Sequence, residues 1–154
     1  MKTTNKLLTL IIIFSSLFSL QSQNKFSKRK IENLKEEVSQ LVEDDKKMTQ
    51  VMIDKVFSFG ELGFQEFETS KYLGKILEEN GFDVEYQISG IPTSWLATWS
   101  NGEGGPTIAI GSDFDGVPST SQYPGVAYEK PVVEGAPGHG EGHNIGLPIV
   151  ITSA

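Results

Sequence analysis

Thr107-Ile108-Ala109-Ile110-Gly111-Ser112-Asp113-Phe114-Asp115-Gly116-Val117-Pro118 is the stretch whose reading decides the fold. Residues 107–111 are few, apolar on both faces and bounded by turn residues, the pattern of a buried central strand. In open α/β sheets the ligand site lies outside the carboxyl ends of the strands. An α/β fold is therefore predicted, with Asp113 and Asp115 delivered to the functional edge. The plainer role for either aspartate is to cap the turn before Pro118, a common use of aspartate near proline.

Upstream, Ile31, Leu34, Val38, Leu41 and Val42 recur at helical spacing, as do Met48, Val51, Met52, Val56 and Phe59. The acidic run Glu43-Asp44-Asp45 between them predicts two helices packed side by side, with Gly60 ending the second. Tyr72, Leu73, Ile76 and Leu77 mark a third helix, closed by Asn80-Gly81 with glycine in the left-handed position. The period then becomes two. Phe82, Val84, Tyr86 and Ile88 alternate with polar residues, which describes an outer strand with one wet face. Trp95 to Trp99 reads as its partner beyond a turn at Ser89-Gly90-Ile91-Pro92, and Asn101 to Pro106 is a glycine-rich loop.

Downstream, Gly138-His139-Gly140-Glu141-Gly142-His143-Asn144 holds both histidines of the 154 residues. Imidazole and carboxylate are ligands of first-row metals, and the interleaved glycines let the backbone turn neighbouring side chains toward one point. The bland reading is a surface loop with two solvated histidines. From Asn144 a buried helix is expected, with Pro148 in its first turn where the missing N–H is not needed.

Composition narrows the function. One domain of ordinary size fits the length. The formal charge is −7, and without residues 1–22 it is −9, from 11 basic against 20 acidic residues, so nucleic acid is excluded as a partner. With no cysteine there are no disulfides, thiolate ligands or thiol nucleophile. Lys2 and Lys6 followed by the apolar run Leu7–Leu20 have the form of a secretory signal at residues 1–22, too short to be a stable membrane anchor. Residues 23–30 read as a flexible lead-in, residues 31–154 as the folded domain, and the protein as exported, periplasmic or secreted.

Four stretches together resemble the zinc-dependent metallopeptidase and aminoacylase family, in its amidohydrolase branch of aminobenzoyl-glutamate hydrolases and amino-acid-conjugate hydrolases. They are Glu61-Leu-Gly-Phe-Gln-Glu-Phe-Glu-Thr-Ser70, Gly90-Ile-Pro-Thr93, Ile108 to Pro118, and Pro137 to Asn144. The resemblance implies the amino-terminal part of a phosphorylase/hydrolase-like α/β sandwich catalytic domain, incomplete in this chain, with the family's lid or dimerisation domain absent. It implies two divalent metal ions, zinc or manganese, a small-molecule amide or peptide substrate, and a homodimer in the complete enzyme. The family's metal-binding cysteine falls on Glu141 and the histidine ligand after it on His143; Asp115, with Asp113 nearby, sits where the family places an acid that orients the site. Glutamate for cysteine keeps an anionic ligand and exchanges sulfur for a harder oxygen.

The implied chemistry is hydrolysis of an amide bond in an N-acyl or aryl amino acid or a small peptide, assisted by paired metals. The family's catalytic glutamate and remaining ligands fall beyond Ala154, so the isolated chain is expected to be inactive. The alternative, of a different class, is an exported non-catalytic binding module or a degenerate relative.

Overall fold

A computed structural model describes residues 26–154; the expected signal segment lies outside them. The chain divides between Gln40 and Leu41 into two compact units. In the first, the described residues are exposed throughout and helical from Lys28, so helix already occupies the end of the expected lead-in.

Helix α1 (Lys28–Phe59) runs unbroken for 32 residues, where two helices were expected. The acidic run does not interrupt it because the segment contains neither glycine nor proline, and aspartate costs well under about 1 kcal/mol in a helix interior. Glu43 instead pairs with Lys46 along the helix surface at 2.8 Å. No helix among the described residues is long and apolar enough to cross a membrane.

In the second unit, the core consists of Met52, Val56, Leu73, Leu77, Leu147 and Ile151. These come from the carboxyl-terminal part of α1, from α2 (Phe67–Glu79) and from α3 (His143–Ser153). Helix α2 ends as the sequence requires: Gly81 takes φ +89°, Gly81 N–H donates to Glu78 and Phe82 N–H to Leu77, which satisfies carbonyls the helix leaves open. Strands β1 (Asp83–Tyr86) and β2 (Trp95–Thr98) pair antiparallel, with Val84 opposite Ala97 and Tyr86 opposite Trp95. Val84, Trp95 and Ala97 pack against the core while Asp83, Glu85 and Leu96 face out, the alternation a half-wet sheet demands.

The fold is thus mixed α/β, with helices and a small two-stranded sheet. The expected central strand at 107–111 is not formed. A buried strand needs ladder partners and layers over both faces, and the described residues give this segment neither. Ile108 is 80% and Ile110 55% exposed. Helix α3 forms as expected but starts at His143 behind Gly142, whose φ is +97°. Pro148 therefore lies in the second turn, where its ring withholds an N–H from the carbonyl of Asn144.

Candidate metal centre

The loops that carry the aspartates and histidines are tied together by main chain. Gly116 N–H donates to Glu61 O at 2.6 Å, while Val117 and Gly138 exchange both backbone hydrogen bonds at 2.8 and 3.1 Å. Leu62 and Gly116 form a parallel bridge, Val117 and Gly138 an antiparallel one. Asp115 thus issues from a fixed point, although no sheet edge delivers it. The approach at these bridges is close: a Cβ on Gly116 would lie 3.0 Å from Gly138 O and 3.1 Å from Glu61 O, so both carbonyls would have to give by a few tenths of an ångström.

Within this frame Asp113, Asp115 and His143 come together, with one ligand atom from each inside 4.8 Å of the others. His143 Nε2 is 3.2 Å from Asp113 Oδ1. Its Nδ1 is 3.0 Å from Asp115 Oδ1, 3.1 Å from Asp115 O and 3.4 Å from Glu141 Oε1. One imidazole therefore stands among three carboxylates. An N–H at Nδ1 donating to Asp115 would leave the Nε2 lone pair beside Asp113, the arrangement in which a histidine ligand is oriented by its other nitrogen. One nitrogen and carboxylate oxygens suit a divalent zinc or manganese ion. Glu141 lies outside the three-residue group and next to it, with its side chain 22% exposed.

Burial lowers the pKa of His143, and the backbone hydrogen bond to Asp115 with the charges of Asp113, Glu141 and Asp115 outweighs it, so the net shift is upward from 6.5. The sign for stability follows from linkage. In the chain kept free of metal, the contribution of His143 is fully present below pH 6.5 and is lost as pH rises through the higher folded-state pKa. Thermal melts in chelator should show the gap between wild type and His143→Gln closing as the pH is raised; a gap that widens would contradict this. The partly open site keeps the effect small.

His139, unassigned from sequence, has a fully buried side chain. Its Nε2 lies 3.0 Å from Val56 O, which can only accept, so Nε2 carries a proton and donates to α1. Nδ1 is 3.3 Å from Glu141 Oε1. The histidine thus sits between helix α1 and the site carboxylate.

Two further carboxylates in the segment 61–70 are structural. Glu61 accepts from Glu68 N–H at 3.0 Å, Thr69 N–H at 2.8 Å and Thr69 Oγ1–H at 2.8 Å, capping α2 from outside the helix. Glu66, 7% exposed, accepts from Thr93 Oγ1–H at 2.6 Å. Capping signatures in sequence span three residues, so a cap seven residues away leaves no local signal. Thr93→Val should leave the buried Glu66 carboxylate short of a donor and lower stability by about 1–2 kcal/mol, read from denaturant midpoints, whereas Thr93→Ser should restore most of it.

With this geometry, the chain is related to amidohydrolases and peptidases, at modest identity and over part of its length. It is 32% identical over 108 residues to one of the subunits of p-aminobenzoyl-glutamate hydrolase from Escherichia coli, a match that covers 70% of this chain and 22% of that protein. It is 31% identical over 64 residues to thermostable carboxypeptidase 1 of Saccharolobus solfataricus, covering 42% of this chain and 16% of that protein. The chain therefore spans about a fifth of the length of the curated relatives it matches. No family model matches it, and no solved structure matches it significantly.

Proposed function

We propose that this chain is the metal-binding amino-terminal part of an exported amidohydrolase that cleaves an amide bond in an N-acyl or aryl amino acid or small peptide. The observation that carries the reading is the convergence of Asp113, Asp115 and His143, with Glu141 beside them, in a chain related to amide hydrolases. In this reading residues 1–22 are a signal peptide, the rest contributes to an α/β sandwich domain, and Glu141 and His143 are ligands in a centre of two zinc or manganese ions.

The residues present fit that role by charge. Paired divalent cations need anionic neighbours to offset their mutual repulsion, and three carboxylates face His143. Metal bound there would acidify a water and polarise the scissile carbonyl. Asp115 would hold the His143 ring by its Nδ1, and Asp113, exposed at 72%, would meet solvent and substrate. Ligation requires neutral His143, so metal uptake should release a proton and weaken as pH falls.

Calorimetric titration of the chain with Zn²⁺ and Mn²⁺ should show saturable binding that Glu141→Gln weakens by at least about tenfold. The polypeptide continued through the coding sequence after Ala154 should release free amino acid from N-acyl or aryl amino acids in a metal-dependent way. Metal binding without hydrolysis by that longer polypeptide would favour the binding module; absence of both would defeat the reading.

A further inference from the structure

The sequence holds two Asn-Gly pairs, Asn80-Gly81 and Asn101-Gly102. Asparagine before glycine is prone to lose its amide, because glycine has no Cβ to shield its own nitrogen and gives the backbone freedom to bring that nitrogen onto the asparagine side chain. Both pairs are solvent-exposed, so access does not separate them. Hydrogen bonding does. At the carboxyl end of α2, Asn80 Nδ2–H donates to Ile76 O at 2.8 Å, and Gly81 N–H donates to Glu78 O at 3.1 Å. The group that would leave and the nitrogen that would attack are thus both held. In the loop after β2, neither the Asn101 side chain nor the Gly102 N–H makes a hydrogen bond among the described residues. Residues 98–113 are exposed throughout, and a Cβ at Gly102, whose φ is +75°, would meet nothing within 4 Å.

We infer that Asn101 is a site of spontaneous covalent modification in the folded protein and that Asn80 is protected. The Gly102 N–H gives its proton to a base from solvent, and the nitrogen attacks Cγ of Asn101. A new Cγ–N bond closes a succinimide ring, the Cγ–Nδ2 bond breaks, and ammonia leaves. Water then opens the ring at either carbonyl. Opening at one gives aspartate at position 101; opening at the other gives isoaspartate, in which the main chain runs through the former side chain. Water is the only co-reactant consumed, and nothing is oxidised or reduced. Either product adds a negative charge beside Glu103 in a chain already at −7, and isoaspartate also lengthens the loop ahead of the stretch that carries Asp113. Because the loop is unanchored there, the fold offers no resistance to the ring closure. The inference does not depend on the metal centre.

Peptide mapping by mass spectrometry of the full chain, aged in mildly alkaline buffer, reads both sites at once. Asn101 should convert to a mixture of aspartate and isoaspartate at least about tenfold faster than Asn80, since two hydrogen bonds must open before Asn80 can react. In denaturant those bonds are gone, and the two rates should converge. Gly102→Ala in the folded chain should slow the loss at Asn101 and leave Asn80 as it was, because the added Cβ hinders the attacking nitrogen without touching α2. An Asn101 that stays intact in the folded chain, equal rates at the two sites before unfolding, or a preference for Asn101 that persists in denaturant would each overturn the inference.

Discussion

Alanine at position 138 should unfold the site and destabilise the whole second unit. A Cβ on Gly138 would lie 2.5 Å from Thr120 O, 2.8 Å from its carbonyl carbon and 3.0 Å from Ser121 Cα. All three are backbone atoms, so no side chain can swing away. Gly138 also exchanges two backbone hydrogen bonds with Val117 and accepts a third from Thr120 Oγ1–H at 2.8 Å. Relieving the clash strains all of these, and a cost of about 2–4 kcal/mol is expected. Gly140→Ala is the control, since its Cβ would meet only the Thr120 side chain at 3.6 Å or more, an ordinary contact worth under about 0.5 kcal/mol. Chemical denaturation of both variants decides the matter; equal midpoints would show that the 120–121 backbone yields.

His143→Ala should reduce zinc or manganese affinity by about 100-fold or more, because His143 brings the only nitrogen of the Asp113, Asp115 and His143 group and stands within 3.4 Å of all three carboxylates. Without it the aspartates and Glu141 repel one another across an open site. Loss of a ligand exceeds the roughly 10- to 100-fold seen for groups that merely orient ligands. The variant should still fold, since His143 is partly exposed and the α3 core residues Leu147 and Ile151 are untouched. Isothermal titration with each metal measures the effect, and unchanged affinity would remove His143 from the site.

Local pattern made the second unit's elements legible. Helix α2 with its glycine stop, the β1–β2 alternation and the helix after the histidines are all set by neighbours a few residues apart, where side-chain period and turn chemistry act. The failures have one cause in common. Residues 107–111 advertise that they are fit for burial, and whether partners lie beside them is a tertiary matter that no five-residue pattern contains. Likewise the acidic run at 43–45 weakens helix preference locally, and the continuous helix on either side overrides it. At the site, position after the expected strand pointed to Asp113 and Asp115, and the family resemblance to Glu141 and His143, while the placement of Glu61, Glu66 and His139 depends on partners such as Thr93 and Val56 that are distant in the chain.

The stitching of the site loops by main chain, through Glu61, Gly116, Val117 and Gly138, separates two kinds of inheritance. What fixes the loops is glycine and backbone geometry; the candidate ligands are side chains hung from them. A single replacement of Asp113 or Glu141 leaves those backbone bonds intact and changes only the ligands on offer. In the proposed reading, such a replacement alters what the site can hold while the loops remain in register. A change at Gly138 is different in kind, because a Cβ there would meet the backbone of Thr120 at 2.5 Å.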